Sequence, residues 1–198
     1  MDGAELFSRC LAQTTGVVRQ VRPEHLANAT PCADWHVWDL VDYMVSELAV
    51  VAPLLSGKVM KVADASEAEI EMSGAADPDV DIGDEWQLLA DAAEAAAMEA
   101  DPDGLAHPAD GTLSNGEYLR RLATDLLVQA WSLAVAIGLP FIFDPGAAQA
   151  AYDYAVVLPS RVQPEACAAE PIPVAATASV QTKLLALYGR FPTWQATI

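Results

Sequence analysis

Residues 119–138 read LRRLATDLLVQAWSLAVAIG, and Gly138 with Pro140 just beyond is a strong stop signal for a helix that starts between Ser114 and Glu117. Residues four apart on an α-helix are neighbours, so Asp125 and Gln129 share a face, and Ser132 lies one further turn along it. A carboxylate, an amide and a hydroxyl thus form one polar line on an otherwise apolar helix. Such groups can build a hydrogen-bonded cluster at the centre of a pocket.

Working outward, the segment from Ala4 to about Arg22 places Phe7, Cys10, Leu11, Thr14, Val17, Val18 and Val21 at three- and four-residue intervals, which predicts an amphipathic helix ended by Pro23. A second helix begins near His36, has Asp39 at its third position, and carries Val37, Leu40, Val41, Met44, Leu48 and Val51 up to Pro53. His36 breaks a local rule, because imidazole is not among the favoured N-caps. A third helix, Glu85 to Glu99, presents an alanine-rich face that permits close helix approach. Residues 56–83 show little periodicity, several breakers and high acidity, and read as a long connection across the molecule, a common place for a lid. The tail predicts a helix from Gly146 to Leu158, an extended piece at Ile172 to Val174, and a last helix from Ser179 to Tyr188 ended by Gly189.

The chain has 198 residues with 53% hydrophobic content, enough for one domain with a sizeable core. The expected division is a bundle over 1–145 and an appendage over 146–198 packed on it. Acidic residues outnumber basic ones 28 to 10, giving a formal charge of −18. Fourteen of the acids lie between Asp64 and Asp103, and no Lys or Arg occurs between Lys61 and Arg120. That field repels phosphate backbones and anionic lipid heads, so nucleic-acid and membrane partners are excluded as expectations. With neither a leader-like N-terminus nor a long apolar run, the reading is cytoplasmic. Cys10, Cys32 and Cys167 are odd in number and lack a C-x-x-C pair, which predicts reduced, mostly buried thiols. There is no G-x-S-x-G, phosphate-cradling glycine loop or H-E-x-x-H.

Three stretches carry a family resemblance. In residues 119–138 the run Asp125 to Leu133 resembles the helix that bears a carboxylate and a histidine four residues apart, followed by Trp-Asp-Leu-Ala, in the mycothiol-dependent maleylpyruvate isomerase N-terminal family. Residues 30–45, TPCADWHVWDLVDYMV, are similar to its Thr-Pro-Cys-x-x-Trp-x-Val-x-Asp-Leu run, and residues 171–192, PIPVAATASVQTKLLALYGRFP, to its closing Pro-Val segment, leucine helix and Gly-Arg-x-Pro. The resemblance runs from about residue 4 to 192. It implies an all-α, DinB-like four-helix bundle with a small helical and extended C-terminal appendage. It also implies a central pocket where relatives hold a divalent ion with two histidines and a carboxylate, and use mycothiol.

By the same resemblance, the ligand histidines fall at Tyr43 and Gln129, and the aspartate after the tryptophan at Ser132. A glutamine amide is a weak ligand and a phenol must lose a proton to bind well, so Asp125 alone remains a strong donor. The expectation is therefore no metal and no cofactor, with Asp125 and Tyr43 as catalytic candidates and Gln129, Ser132, His36, Trp38 and Trp86 as ligand-binding candidates. Asp125 would move a proton, and Tyr43 would donate to a carbonyl or enolate. The partner is a mostly apolar small molecule undergoing isomerisation or cyclisation, as in specialised metabolism. Two alternatives stay open: a non-catalytic binding or interaction protein, with a possible homodimer, in which Tyr43 and Gln129 fill the old site, and a metal-dependent thiol transferase that recruits His36 or His107 beside Asp125. Trp35 and Trp131 read as packing residues, whereas Trp38, Trp86 and Trp194 could line an apolar mouth.

Overall fold

The computed structural model of the protein describes residues 1–58, 82–109, 111–157, 167 and 169–194. Most of the acidic connection expected over 56–83 lies outside the described residues. Helix α1 (Gly3–Val18) starts where the Asp2 carboxylate accepts the Glu5 N–H at 2.8 Å, a side-chain cap that satisfies one free donor of the first turn. It buries Leu6, Phe7, Cys10, Leu11, Thr14, Val17 and Val18, the stripe that the spacing predicts.

Helix α2 (Val37–Ala49) has His36 at its N-cap. Asp39 at the third helical position accepts the His36 N–H at 2.8 Å, the return bond of a capping box in which an imidazole stands in the place of the usual hydroxyl or carboxylate. Pro53 does not end the helical run as the sequence suggested. A short helix α3 (Val51–Leu55) follows at once, and Pro53 lies in its first turn, where a missing N–H leaves no bond unmade.

Helix α4 (Ile82–Glu99) and helix α5 (Asn115–Ala136) complete the bundle, with a two-residue hairpin, β1 (Leu105–Ala106) paired antiparallel to β2 (Leu113–Ser114), between them. The hairpin has no counterpart in the sequence reading, because two residues per strand leave no period to detect. Both α1 and α2 pack against α4 and α5, so the four helices form a ring in which α1 and α2 are diagonal. Helix α5 is buried nearly all round, from Tyr118 and Leu119 through Leu133 and Ala136. A helix covered nearly all round is the axis of the core, which is why Gln129 and Ser132 on its polar stripe are buried and Asp125 partly so.

The chain then wraps that axis with helix α6 (Pro145–Val157), which packs on α5 and α1, and helix α7 (Val180–Leu187), which packs on α6. Ser179 caps α7 through the Thr182 N–H at 3.1 Å. Gly189 ends it with φ +68, a left-handed conformation that costs a side-chain-bearing residue about 1 kcal/mol or more. The segment around Ile172 to Val174 joins no strand, and its Ile172 N–H donates to the Ala186 carbonyl at 2.9 Å. No helix among the described residues is long and apolar enough to cross a membrane.

The approach of the α1 and α5 N-termini depends on glycine. A Cβ added to Gly3 would fall on the Gly116 carbonyl oxygen and 3.1 Å from the Gly116 Cα, both backbone atoms that cannot swing away. Gly3→Ala should therefore force α1 and α5 apart and lower unfolding free energy by about 1–3 kcal/mol, read from the denaturant midpoint. An unchanged midpoint would show that the helix ends part without cost.

One expectation fails outright. Cys32 and Cys167 are joined by a disulfide across 135 residues of chain, and Cys10 alone is a free, buried thiol. An odd cysteine count and the lack of a C-x-x-C motif concealed the pair, since only the fold brings residues so distant in sequence to one Cα–Cα separation of 5.3 Å. Burial, helped by the nearby Asp144 carboxylate, pushes the Cys10 thiol up to about 12.

Candidate functional site

The polar stripe of α5 is met by two groups from the C-terminal tail. Tyr188, the C-cap of α7, donates its hydroxyl to Asp125 Oδ1 at 2.7 Å. Two residues on, and past the left-handed turn at Gly189, the Arg190 side chain reaches Ser132 with Nε at 3.4 Å from Oγ. The tail thus reads the α5 stripe at its two ends, with Gln129 between.

Around Asp125 the groups are phenolic. Tyr43 comes from the adjacent helix α2, half-buried, with its ring tilted against Trp35 at a centroid distance of 5.4 Å. Burial raises its hydroxyl well above the ordinary phenol range, the carboxylates of Glu47 and Asp125 raise it further, and the Arg121 guanidinium opposes them. Tyr188 is raised too, by burial first and then by the charge of Asp125 and the hydrogen bond to it, with Tyr154 and Tyr43 adding to the effect. At neutral pH both phenols are fully protonated donors that feel the Asp125 carboxylate, and Tyr43 feels that of Glu47 as well. Arg121 also lies 5.8 Å from the centroid of the Tyr118 ring, one turn earlier on α5.

Around Gln129 and Ser132 the groups are sulfur and guanidinium. Gln129 is 1% exposed; its Oε1 lies 3.8 Å from Cys32 Sγ, which as a disulfide sulfur has no proton to give, and its Nε2 is buried with no hydrogen-bond acceptor among the described residues. Ser132 returns its hydroxyl to the Val128 carbonyl at 3.0 Å. Arg190, 1% exposed, donates from Nη1 to the Tyr188 carbonyl at 2.9 Å and from Nη2 to the Cys167 carbonyl at 3.0 Å. The same Nη2 stands 3.3 Å from Cys32 Sγ and 2.6 Å from Cys167 Sγ. Among the described residues every group it touches is neutral. Burial accordingly lowers the guanidinium to about 10, which still leaves it charged at neutral pH.

The candidates named from the sequence separate into two sets. Tyr43 and Asp125 share one neighbourhood, while Gln129 and Ser132, on the same helix face, look onto the disulfide and Arg190. His36 lies at the head of α2, more than half exposed, with its Nδ1 3.5 Å from Asp39 Oδ2. Trp38 is half-buried against the core. Trp86 is fully buried on α4, and its indole N–H donates to Thr15 Oγ1 on α1 at 2.8 Å. Its polar end is thus engaged by the protein itself.

Tyr188, Arg190 and the Cys32–Cys167 pair are the members that sequence reading missed. A signal for Arg190 was present: it is a lone cation in the apolar run LLALYGRFP, and a charge so placed needs buried partners. Tyr188 and Cys32 lay inside stretches read only as marks of the fold.

A divalent ion held as in the resembled family requires imidazole, thiolate or carboxylate donors. No group of three or more His, Cys, Asp and Glu among the described residues could hold one. Each histidine is engaged locally: His25 Nδ1 accepts the Arg22 N–H at 3.1 Å, His36 lies beside Asp39, and His107 Nδ1 is 3.0 Å from Thr112 Oγ1. Two carboxylates near Tyr43, Asp125 and Glu47, with protonated phenols and an amide fall short of the three such donors that the ion needs. The sequence profile for the mycothiol maleylpyruvate isomerase N-terminal domain matches residues 7–134, which covers the four-helix ring but not the tail. No curated protein and no solved structure matches the chain.

Proposed function

Since the chain belongs to the mycothiol maleylpyruvate isomerase N-terminal domain family, a DinB-like group of helical bundles, we propose that it is a metal-independent member acting on a mostly apolar small molecule. The observation that carries this reading is the Tyr188 hydroxyl on Asp125, with Tyr43 raised first by burial, then by Glu47 and by the same Asp125 carboxylate. Neutral phenols occupy the surroundings of the only carboxylate on the α5 stripe, and by the family pattern Tyr43 and Gln129 stand where relatives carry histidines. The reaction class is isomerisation or cyclisation through an enol. Asp125 takes a proton from carbon beside a carbonyl and returns it elsewhere, while the Tyr43 hydroxyl donates to the developing enolate oxygen. Tyr188 positions Asp125 and keeps one of its oxygens occupied. No step passes through a metal or mycothiol.

The test uses a β,γ-unsaturated cyclic ketone, whose conversion to the conjugated enone is followed by absorbance. Turnover is expected in the presence of EDTA, and Asp125→Asn should lower it by about 100-fold or more. Turnover that requires an added divalent ion, or that survives Asp125→Asn, would sink the reading. Metal content is an independent check. Protein purified without chelator should carry well under one equivalent of zinc or nickel, and EDTA should leave its melting temperature unchanged, because removing a tightly held ion would lower stability by several kcal/mol. Stoichiometric zinc lost on Asp125→Ala would point instead to a metal-dependent transferase.

A second reading draws on the same hydrogen bond. Tyr188 is almost completely buried and already satisfies Asp125, so the cluster could serve only to hold the tail on the bundle in a non-catalytic binding or interaction protein, including a homodimer. Neither turnover nor a thermal shift with the ketone, together with a dimer in sedimentation, would favour it.

A further inference from the structure

Arg190 is a buried cation whose contacts among the described residues are two carbonyls, a hydroxyl and two sulfurs. An uncompensated charge in a protein interior costs several kcal/mol, so a guanidinium so placed calls for an anion. Gln129 shows the complementary deficiency, a buried amide N–H with no acceptor among the described residues, carried on the amide whose oxygen is 3.8 Å from Cys32 Sγ. Both deficiencies would be met by one event, the appearance of negative charge on Cys32. Rotating the Gln129 amide by half a turn brings Nε2 to the sulfur in place of Oε1, at no cost in shape.

We propose that the Cys32–Cys167 disulfide is redox-active and that its reduced form holds a Cys32 thiolate between Arg190 and Gln129, a site for exchange with dithiol reductants. Both sulfurs are buried and both lie against Arg190 Nη2, at 2.6 Å for Cys167 and 3.3 Å for Cys32, but only Cys32 also faces Gln129, so Cys32 is the sulfur that leaves and Cys167 the one attacked. A thiolate of the reductant bonds to Cys167 Sγ; the Cys32–Cys167 bond breaks, and its electron pair leaves on Cys32 Sγ, 3.3 Å from Arg190 Nη2. The second thiol of the reductant, as thiolate, then attacks its own sulfur in the mixed disulfide and expels Cys167, which takes up a proton. The dithiol has lost two electrons and two protons. One proton ends on Cys167 and the other in solvent, because Cys32 stays ionised. Disulfides that turn over in this way are commonly those whose leaving thiolate is stabilised by a neighbouring cation. The inference is independent of Asp125 and of the reaction proposed for it.

The experiment is pH-dependent pulse alkylation of the full chain after reduction with dithiothreitol, with each cysteine quantified by peptide mass spectrometry. Cys32 should titrate below the free-thiol value of about 8.5, whereas Cys10 stays unreactive until far higher pH. Arg190→Gln should lower the Cys32 thiolate fraction at neutral pH by about tenfold or more, Arg190→Lys should restore part of it, and Gln129→Leu should cost about threefold. Near-UV circular dichroism of each reduced protein controls for folding. Titration of Cys32 at or above the free-thiol value in the reduced parent overturns the proposal. So does failure of dithiothreitol to reduce the folded protein, or loss of the native near-UV signal on reduction. An Arg190→Gln protein that folds and titrates like the parent overturns it as well. If Arg190→Gln does not fold, the parent titration and Gln129→Leu decide.

Discussion

Trp86→Ala should lower the unfolding free energy by about 4 kcal/mol and the melting temperature by roughly 10 °C, the largest loss expected from a single side chain here. The indole is fully buried between α4 and α1, and its N–H is bonded to Thr15 Oγ1 at 2.8 Å. Truncation removes the apolar contact, leaves a cavity and strands the Thr15 hydroxyl without its indole donor. Trp86→Phe, which keeps most of the volume and loses only the N–H donor, should cost about 1–2 kcal/mol. The comparison also decides a functional question. If Trp86 lines a ligand site, Trp86→Phe will weaken ketone binding more than it weakens the fold; if Trp86 is core, the two effects will run together. A melting temperature unmoved by Trp86→Ala would mean that the α1–α4 interface is open to solvent.

Alkaline titration should unfold the protein steeply. Tyr43 and Tyr188 have hydroxyls raised well above the ordinary phenol range by burial and by the Asp125 charge. Below about pH 10 they are protonated in folded and unfolded chains alike, and the stability associated with them is fully present. Above that value the unfolded chain releases protons that the folded chain retains, so each tyrosine removes about 1.4 kcal/mol per pH unit. Cys10, raised from 9.0 to about 12, adds a loss of the same slope between those values. Arg190 works in the opposite sense: lowered to about 10 from 12.5, it is destabilising while charged in the fold, and that cost is relieved as pH rises between the two values. The net slope from pH 10 to 12 is a loss of about 2.7 kcal/mol per unit. A domain of ordinary stability, about 5–15 kcal/mol, cannot withstand many units of that. Tyrosinate absorbance followed beside circular dichroism tests this: the Tyr43 and Tyr188 signals should appear only with unfolding. Tyr43→Phe and Tyr188→Phe should each flatten the slope by about 1.4 kcal/mol per pH unit. Reversible ionisation of both in a native-like spectrum would contradict the burial assigned to them.

Wherever a helix has its own period and stops, the sequence made it legible. The stripe from Phe7 to Val18, the Gly138 and Gly189 stops and the polar line at Asp125, Gln129 and Ser132 all appear in the chain at or within a few residues of their expected positions. Pro53 misled because proline is neutral in a first helical turn and disruptive later, and sequence cannot say which turn it occupies. At the site, the α2 and α5 members could be named because the resemblance fixed their register. The tail members could not be assigned roles, since nothing local marks what Tyr188 or Arg190 will meet.

By itself the sequence determined an acidic all-helical chain whose longest apolar helix carries a polar stripe, because periodicity and punctuation are properties of neighbours a few residues apart. Only the tertiary structure decided what covers that stripe: a phenol on Asp125, a guanidinium on Ser132, and a disulfide tying Cys32 to Cys167. Those contacts join residues 58 to 135 positions apart. Their existence depends on how α7 and the turn at Gly189 settle against α5, a packing outcome that no short window of sequence encodes.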